Sequence, residues 1–291
     1  MELTTLESRA EEFIRSNARL IDRRRYEYHL KGGSREAVLA ALRGYINPDG
    51  GFGQALEPDL RSPGSQPVFQ EAGLRVLDEI GFEADVVDGL LRFLPTITTE
   101  EGGVPAVLPS AVSYPRAPWW QPESPLRARL MPTGAIAGYL HRNGVDHPWL
   151  GRATEFCWRA FEEGEPEEVH DLLCGLVFLE HAPDRERARR DFATVGERIL
   201  AKGLVSLDPR TEGYVQTPLD WAPRPDAWCR ELFEASVIEA HLDALIGRQQ
   251  EDGGWPISWP PVSAACELEW RGFLTVNALL LLRAYGRLTE G

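Results

Sequence analysis

Residues 248 to 285 read RQQEDGGWPISWPPVSAACELEWRGFLTVNALLLLRAY. An amphipathic helix ends there in two glutamines, and an acidic Gly-Gly-Trp turn follows at 251–255. A Pro- and Trp-rich loop comes next, and the stretch closes on a helix that is apolar nearly all round. Paired glycines let the backbone turn tightly. A helix apolar around its circumference must be covered on both sides, whereas a one-sided helix meets water.

The same order recurs upstream. SREAVLAALRGYI at 34–46 runs into NPDGGFG at 47–53, then a Pro-punctuated loop, then the helix VFQEAGLRVLDEIG. ADVVDGLLRFL at 84–94 runs into TTEEGGVP at 98–105, a longer loop, and the small-residue helix PTGAIAGYLHRNG. The Gly-Gly pairs at 50–51, 102–103 and 253–254 lie 52 and then 151 residues apart. These are close to one and three multiples of a unit of about 50 residues, which holds two helices. Segments 35–46, 84–94 and 185–202 are amphipathic, while 170–180 and 273–284 are apolar on most sides. One-sided helices alternating with two-sided ones, over five or six units, are what a double ring of helices around a central cavity would require. All long loops would then lie at one end. The expectation is one all-α domain over 1–291. Its remaining helices are predicted at 3–29, 148–163, 166–182 and 229–250, the last broken near Ser236. Only 204–207 hints at β-alternation.

Composition narrows the function classes. The chain has 291 residues, 43% hydrophobic and 26% charged, an ordinary soluble balance. Its net charge is −14, with Lys only at 31 and 202, which argues against a nucleic-acid partner because phosphate contacts need a basic face. The cluster Arg23-Arg24-Arg25 with Lys31 reads as a solvated helix face. No run approaches the roughly 18 apolar residues of a membrane span, and no basic-then-apolar leader opens the chain, so a cytoplasmic protein without an integral membrane segment is expected. Cys157, Cys174, Cys229 and Cys266 form no C-x-x-C pair, so neither disulfides nor a metal site are expected. His170 and His241 read as helix residues of core or surface.

Leu245 to Trp255, with Gln250 followed by Glu251, Asp252, Gly253, Gly254 and Trp255, resembles the glutamine-tryptophan repeat of squalene and other class II terpene cyclases. It is also similar to the repeat of the protein prenyltransferase β subunits. Asn47 to Phe52 looks like a second copy, with Asn for Gln and Phe for Trp, and Glu101 to Val104 like an eroded third. The resemblance implies an (α/α)6 toroid over essentially the whole chain. It also implies an enzyme acting on a small hydrophobic isoprenoid by acid-initiated carbocation cyclisation or isomerisation. The motif itself is scaffold: the glycines turn, the Gln amide satisfies helix-end groups, and the indole packs over the turn.

Chemistry is then sought in the loops after each turn. Trp119, Trp120, Tyr214, Trp221, Trp228, Trp259 and Trp270 cluster in or beside them, and aromatic faces stabilise a carbocation or stack on a sugar. The same loops carry acids. Asp59 is the first candidate proton donor, with Glu57 across Pro58, because a like-charge neighbour favours keeping one carboxyl protonated. Asp220 and Asp226 are second, Glu267 and Glu269 third, and Arg61 is a candidate diphosphate contact. The D-x-D-D acid motif of class II cyclases is absent, and no Asp-x-Cys pair matches the prenyltransferase zinc ligands. No cofactor is expected, and Mg2+ only if the substrate is a diphosphate. Two other functions fit the same ring: a carbohydrate-active α/α-barrel hydrolase or epimerase using two carboxylates, and a non-catalytic lipid-binding or scaffold toroid.

Overall fold

The computed structural model describes residues 3–163 and 168–288. Its α-helices are α1 (Leu3–Asn17), α2 (Leu20–Leu30), α3 (Arg35–Arg43), α4 (Pro67–Ile80), α5 (Ala84–Phe93) and α6 (Leu130–Arg142), then α7 (Pro148–Glu163), α8 (Val169–His181), α9 (Arg185–Ala201), α10 (Pro218–Trp221), α11 (Ala235–Gly247) and α12 (Ala264–Ala284). Short 3-10 turns occupy Leu94–Ile97, Pro109–Ser113 and Trp228–Leu232. Among the described residues there is no β-strand. The alternation at 204–207 resolves into loop, held by a bond from the Ser206 N–H to the Gln216 carbonyl (2.8 Å). No described helix is long and apolar enough to cross a membrane. The protein is all-α, in two compact units: residues 42–195, and residues up to 41 together with those from 196 onward.

Several boundaries differ from the sequence pattern. The helix expected over 3–29 is two helices, because Ala18 is packed against Gly272 at the break and Arg19 is extended. The face expected to be solvated is in part core. Arg25 is 1% exposed, bonded to Asn277 (2.9 Å) and Asp22 (3.4 Å), and lies over the Phe273 ring. The helix expected over 229–250 is broken close to the expected Ser236, at Phe233 and Glu234, and its first part is a 3-10 turn. α12 begins well before 273, where the Ser263 hydroxyl accepts the Cys266 N–H (3.2 Å) and caps it. Glu168 does the same for α8, accepting the N–H groups of His170 and Asp171 (2.9 and 3.0 Å). The start expected at 166 lies outside the described residues.

The three Gly-Gly turns share one geometry. In each, the N–H of the first residue donates to the carbonyl of the second glycine: Asn47 to Gly51, Thr99 to Gly103 and Gln250 to Gly254, each 2.9 Å. The first glycine has a positive φ, +87° at Gly50, +97° at Gly102 and +91° at Gly253. Each also has a second turn of helix pressed on it. A Cβ at Gly50 would meet the Gly89 carbonyl of α5, at Gly102 that of Arg152 of α7, and at Gly253 that of Arg9 of α1. The second glycine of each pair lies on a phenylalanine four residues further along the same helix: Phe93, Phe156 and Phe13. The apolar residue that follows is anchored to a different helix by a fully buried polar side chain. The Phe52 N–H donates to Gln70 Oε1 (2.8 Å), that of Val104 to Thr133 Oγ1 (2.9 Å), and that of Trp255 to Thr275 Oγ1 (3.0 Å). Each turn thus joins two helices, and only glycine fits both close approaches.

The glutamine role falls one residue earlier than expected. Gln249, not Gln250, supplies the amide, which donates to the carbonyls of Leu6 and Gly253 (each 2.9 Å). Gln250 works through its backbone, its carbonyl accepting from Gly253 N–H (3.0 Å) and from the Arg9 guanidinium (2.5 Å). The Trp255 indole N–H caps the Leu245 carbonyl at the end of α11 (2.8 Å).

Candidate functional site

In the unit of residues 42–195, the loop 53–66 leaves the first turn and carries Glu57, Asp59 and Arg61. Its first two side chains after Gly53 take left-handed backbone, φ +55° at Gln54 and +56° at Ala55. That conformation costs a non-glycine residue about 1–2 kcal/mol, so the surroundings must impose it. They do: the N–H of Gln54 donates to the Pro63 carbonyl and that of Ala55 to the Ser62 carbonyl (each 3.1 Å). Asn47 ties the turn to the loop, donating to the Pro63 carbonyl (2.9 Å) and Ser65 Oγ (3.0 Å) and accepting from Gln54 Nε2 (2.9 Å).

The consequence is a buried acid pair. Asp59 is 1% exposed and Glu57 8%. The Asp59 carbonyl accepts the Ala117 N–H (2.8 Å), the Arg61 N–H donates to the Pro115 carbonyl (2.9 Å), and Trp120 is brought in by a turn from Ala117 (3.0 Å). Trp120 is buried, and its indole N–H meets no acceptor among the described residues. Its neighbour Trp119 stays half exposed, as do Tyr114 and Val112 to a similar degree. The structure therefore brings Glu57, Asp59, Arg61 and the 115–120 segment together.

In the other unit the predicted aromatics form a ladder. Tyr214 and Trp259 meet edge to face at 5.6 Å, Trp259 and Trp270 at 5.2 Å, and Trp270 and Phe273 at 5.6 Å. Its outer rung, Tyr214, is exposed and its inner end is the Arg25–Asp22–Asn277 cluster. Trp221 is buried in α10 and Trp228 half-buried at the start of a 3-10 turn. The two second-choice acids are differently placed from Asp59. Asp226 is an exposed partner of Arg224 (3.0 Å). Asp220 accepts the Thr217 N–H and hydroxyl (each 2.7 Å). Protein packed around Asp220 raises its pKa and the two bonds from Thr217 lower it. Burial is the larger effect, so the net shift is upward, and the carboxylate serves as the cap of the turn at Thr217. His241 is buried, donates to the Leu207 carbonyl (3.2 Å), and burial lowers its pKa, keeping it neutral.

A further cluster was not singled out by the sequence. Glu71 and Arg75 of α4 pair loosely (3.7 Å). Tyr139 of α6 and Cys174 of α8 both feel these two charges. Gly134 and Gly138 let α6 approach α8 backbone to backbone: Cβ atoms there would lie 2.7 Å from the Cys174 carbonyl and 2.5 Å from that of Val177. Burial, followed by the Glu71 charge, pushes the pKa of Tyr139 and Cys174 well up, so both are protonated donors. The signal in sequence was faint: lone polar residues on otherwise apolar helices, four residues apart in α4 and on separate helices otherwise. Among the described residues no group of three or more His, Cys, Asp or Glu side chains is arranged to hold a metal ion. Neither a protein-family model nor a curated protein sequence matches this chain.

Proposed function

We propose that the protein is an (α/α)6 toroid enzyme similar to the terpene cyclases, acting in a cytoplasmic setting on an apolar isoprenoid by acid-initiated carbocation chemistry. Asp59 is the proton donor in this reading. The observation that supports it is the burial of Asp59, 1% exposed on a loop whose strained residues are pinned by hydrogen bonds. Backbone strain held in place by its surroundings is a mark of functional sites, and burial opposes ionisation of a carboxyl. The proton of the Asp59 carboxyl adds to one alkene carbon, leaving a cation on the other and a carboxylate on Asp59. Loss of a proton from a carbon beside the final cation completes the reaction. Glu57 is the neighbouring charge, Trp120 an aromatic side chain on the segment hydrogen-bonded to Asp59 through Ala117, and Arg61 the contact for a diphosphate, with which Mg2+ would enter. The ring architecture is supported by the three turns of one geometry, each clamping two helices.

The test is incubation with squalene, farnesyl diphosphate and geranylgeranyl diphosphate, followed by product analysis. Turnover is expected with one of them, falling at least 100-fold in Asp59→Asn, since a positioned acid contributes about 10²–10⁴-fold. Absence of turnover by the wild type, or undiminished turnover in the variant, overturns the assignment. A carbohydrate-active reading is favoured by a different observation: each unit carries an exposed aromatic side chain in a long loop, Trp119 (50%) in one and Tyr214 (53%) in the other, available for sugar stacking. Release of reducing sugar from α- or β-glucan oligomers would select it.

A further inference from the structure

The break between α1 and α2 leaves a depression in the surface of about 270 Å³. Ile14 and Tyr26, both buried, and Leu20, 56% exposed, give it an apolar wall. The polar part of its lining is Arg15, Arg23, Arg24 and Glu27. Three guanidiniums against one carboxylate reverse the balance of the whole chain, in which acids outnumber Arg and Lys by 45 to 31. The run Arg23-Arg24-Arg25 is therefore not one solvated face: Arg25 turns into the core, and Arg23 and Arg24 stay at the depression. The nearby carboxylates do not cancel the charge. Asp22 is buried against Arg19 (2.8 Å) and Arg25 (3.4 Å). Glu27 pairs with Arg24 (2.6 Å), and Glu11, which pairs with Arg15 (2.6 Å), is also matched by Lys31 (3.1 Å). Arg23 donates its Nε–H to the Ala18 carbonyl (2.7 Å) and among the described residues meets no carboxylate.

We propose that this depression binds a phosphate monoester carried on a small apolar body, free in solution or as the headgroup of a lipid. A phosphate monoester brings a charge of about −1.5 to −2 and three acceptor oxygens, enough to engage more than one guanidinium, whose fork matches phosphate oxygens in pairs. Leu20 and the ring of Tyr26 take the apolar body out of water. Pockets for drug-sized ligands run from about 300 Å³ upward, so this one suits a smaller body. The site is built from α1 and α2 and is independent of the isoprenoid reading.

Isothermal titration of the full chain with phenyl phosphate, inorganic phosphate and benzoate tests this, alongside Arg23→Gln, Arg24→Gln and Leu20→Ser. Phenyl phosphate is expected to bind most tightly of the three, and about 10-fold more weakly to each arginine variant, the loss of one charge-assisted bond. Leu20→Ser should weaken phenyl phosphate and leave inorganic phosphate unchanged. Arg190→Gln on α9, an exposed arginine paired with Glu186, is the control and should alter nothing. Unchanged thermal unfolding identifies variants that fold normally, and Arg24→Gln carries the test if Arg23→Gln, which loses the bond to Ala18, does not fold. Sedimentation with phosphatidylcholine vesicles, with and without phosphatidate, separates the two sources. Sedimentation with phosphatidate vesicles alone, reduced by the arginine variants, assigns a lipid headgroup, and titration by phenyl phosphate without sedimentation assigns a free ligand. Benzoate or inorganic phosphate bound as tightly as phenyl phosphate overturns the proposed ligand class. Binding that the Arg23 and Arg24 variants leave unchanged, or that Arg190→Gln weakens equally, overturns the site, as does the absence of both titration and sedimentation.

Discussion

Gly253 shows how much one residue carries. Its φ is +91° and a Cβ would overlap the Arg9 carbonyl, so Gly253→Ala combines backbone strain with a steric clash against main chain. The expected loss is about 2–4 kcal/mol, measured as a shift in the urea midpoint. Gly203 also has a positive φ, +64°, but open space around it. There Ala should cost only about 1 kcal/mol, and equal losses at both sites would refute the close-approach account. Asp252 beside it bonds Arg271 (2.7 Å) and the Gly254 N–H (3.1 Å). The Arg271 bond, above all, lowers the Asp252 pKa. A carboxyl lowered on folding adds stability above its unfolded pKa, and that contribution is lost as pH falls through the folded value. The stability difference between wild type and Asp252→Asn should therefore be full near pH 7 and shrink as pH drops below about 4. A difference independent of pH would rule the ion pair out. The glycines were legible in the sequence because spacing exposes them. The one-residue shift from Gln250 to Gln249 was not, since two adjacent glutamines are equivalent until a partner such as the Leu6 carbonyl is in place.

Elements are joined by the residue after each glycine pair. Its N–H is inside the protein, and a buried donor left without an acceptor costs about 1–3 kcal/mol. Thr275→Val keeps the shape of the side chain and removes the acceptor for Trp255, so it should lose that amount and speed amide exchange at Trp255. Thr275→Ser should restore most of both. Exchange at Trp255 unchanged in the valine variant would show that the bond does not hold α12 to the turn. Apolar periodicity located most helices to within a few residues, because it follows from which face is buried. It missed the break at Ala18, where Gly272 comes against the chain from a segment more than 250 residues away. It also missed the burial of Arg25, whose partners Asn277 and Phe273 are equally remote.

At the scale of the whole chain, the last turn closes on the first helix. Gly253 and Gly254 lie on Arg9 and Phe13 of α1, and Gln249 reaches Leu6. Leu6, Phe13 and Ile14 are each at most 2% exposed. At about 1.5–3 kcal/mol for each fully buried side chain, the three are worth about 5–9 kcal/mol, comparable with the net stability of a typical domain. A chain beginning at Leu20 should therefore lose the cooperative unfolding of the unit built from residues up to 41 and from 196 onward. Loss of protease resistance in α11 and α12 would report it, and a truncated chain as resistant as the full one would contradict it.

The sequence by itself determined the helical class, the repeated turn and the loops that bear the acids. Those features are local: periodicity, paired glycines and proline punctuation act over a few residues. Only the tertiary structure decided which polar residues are core and which glutamine acts. These depend on which distant segments meet, and the burial that separates Asp59 from the exposed Asp226 exists only once they have.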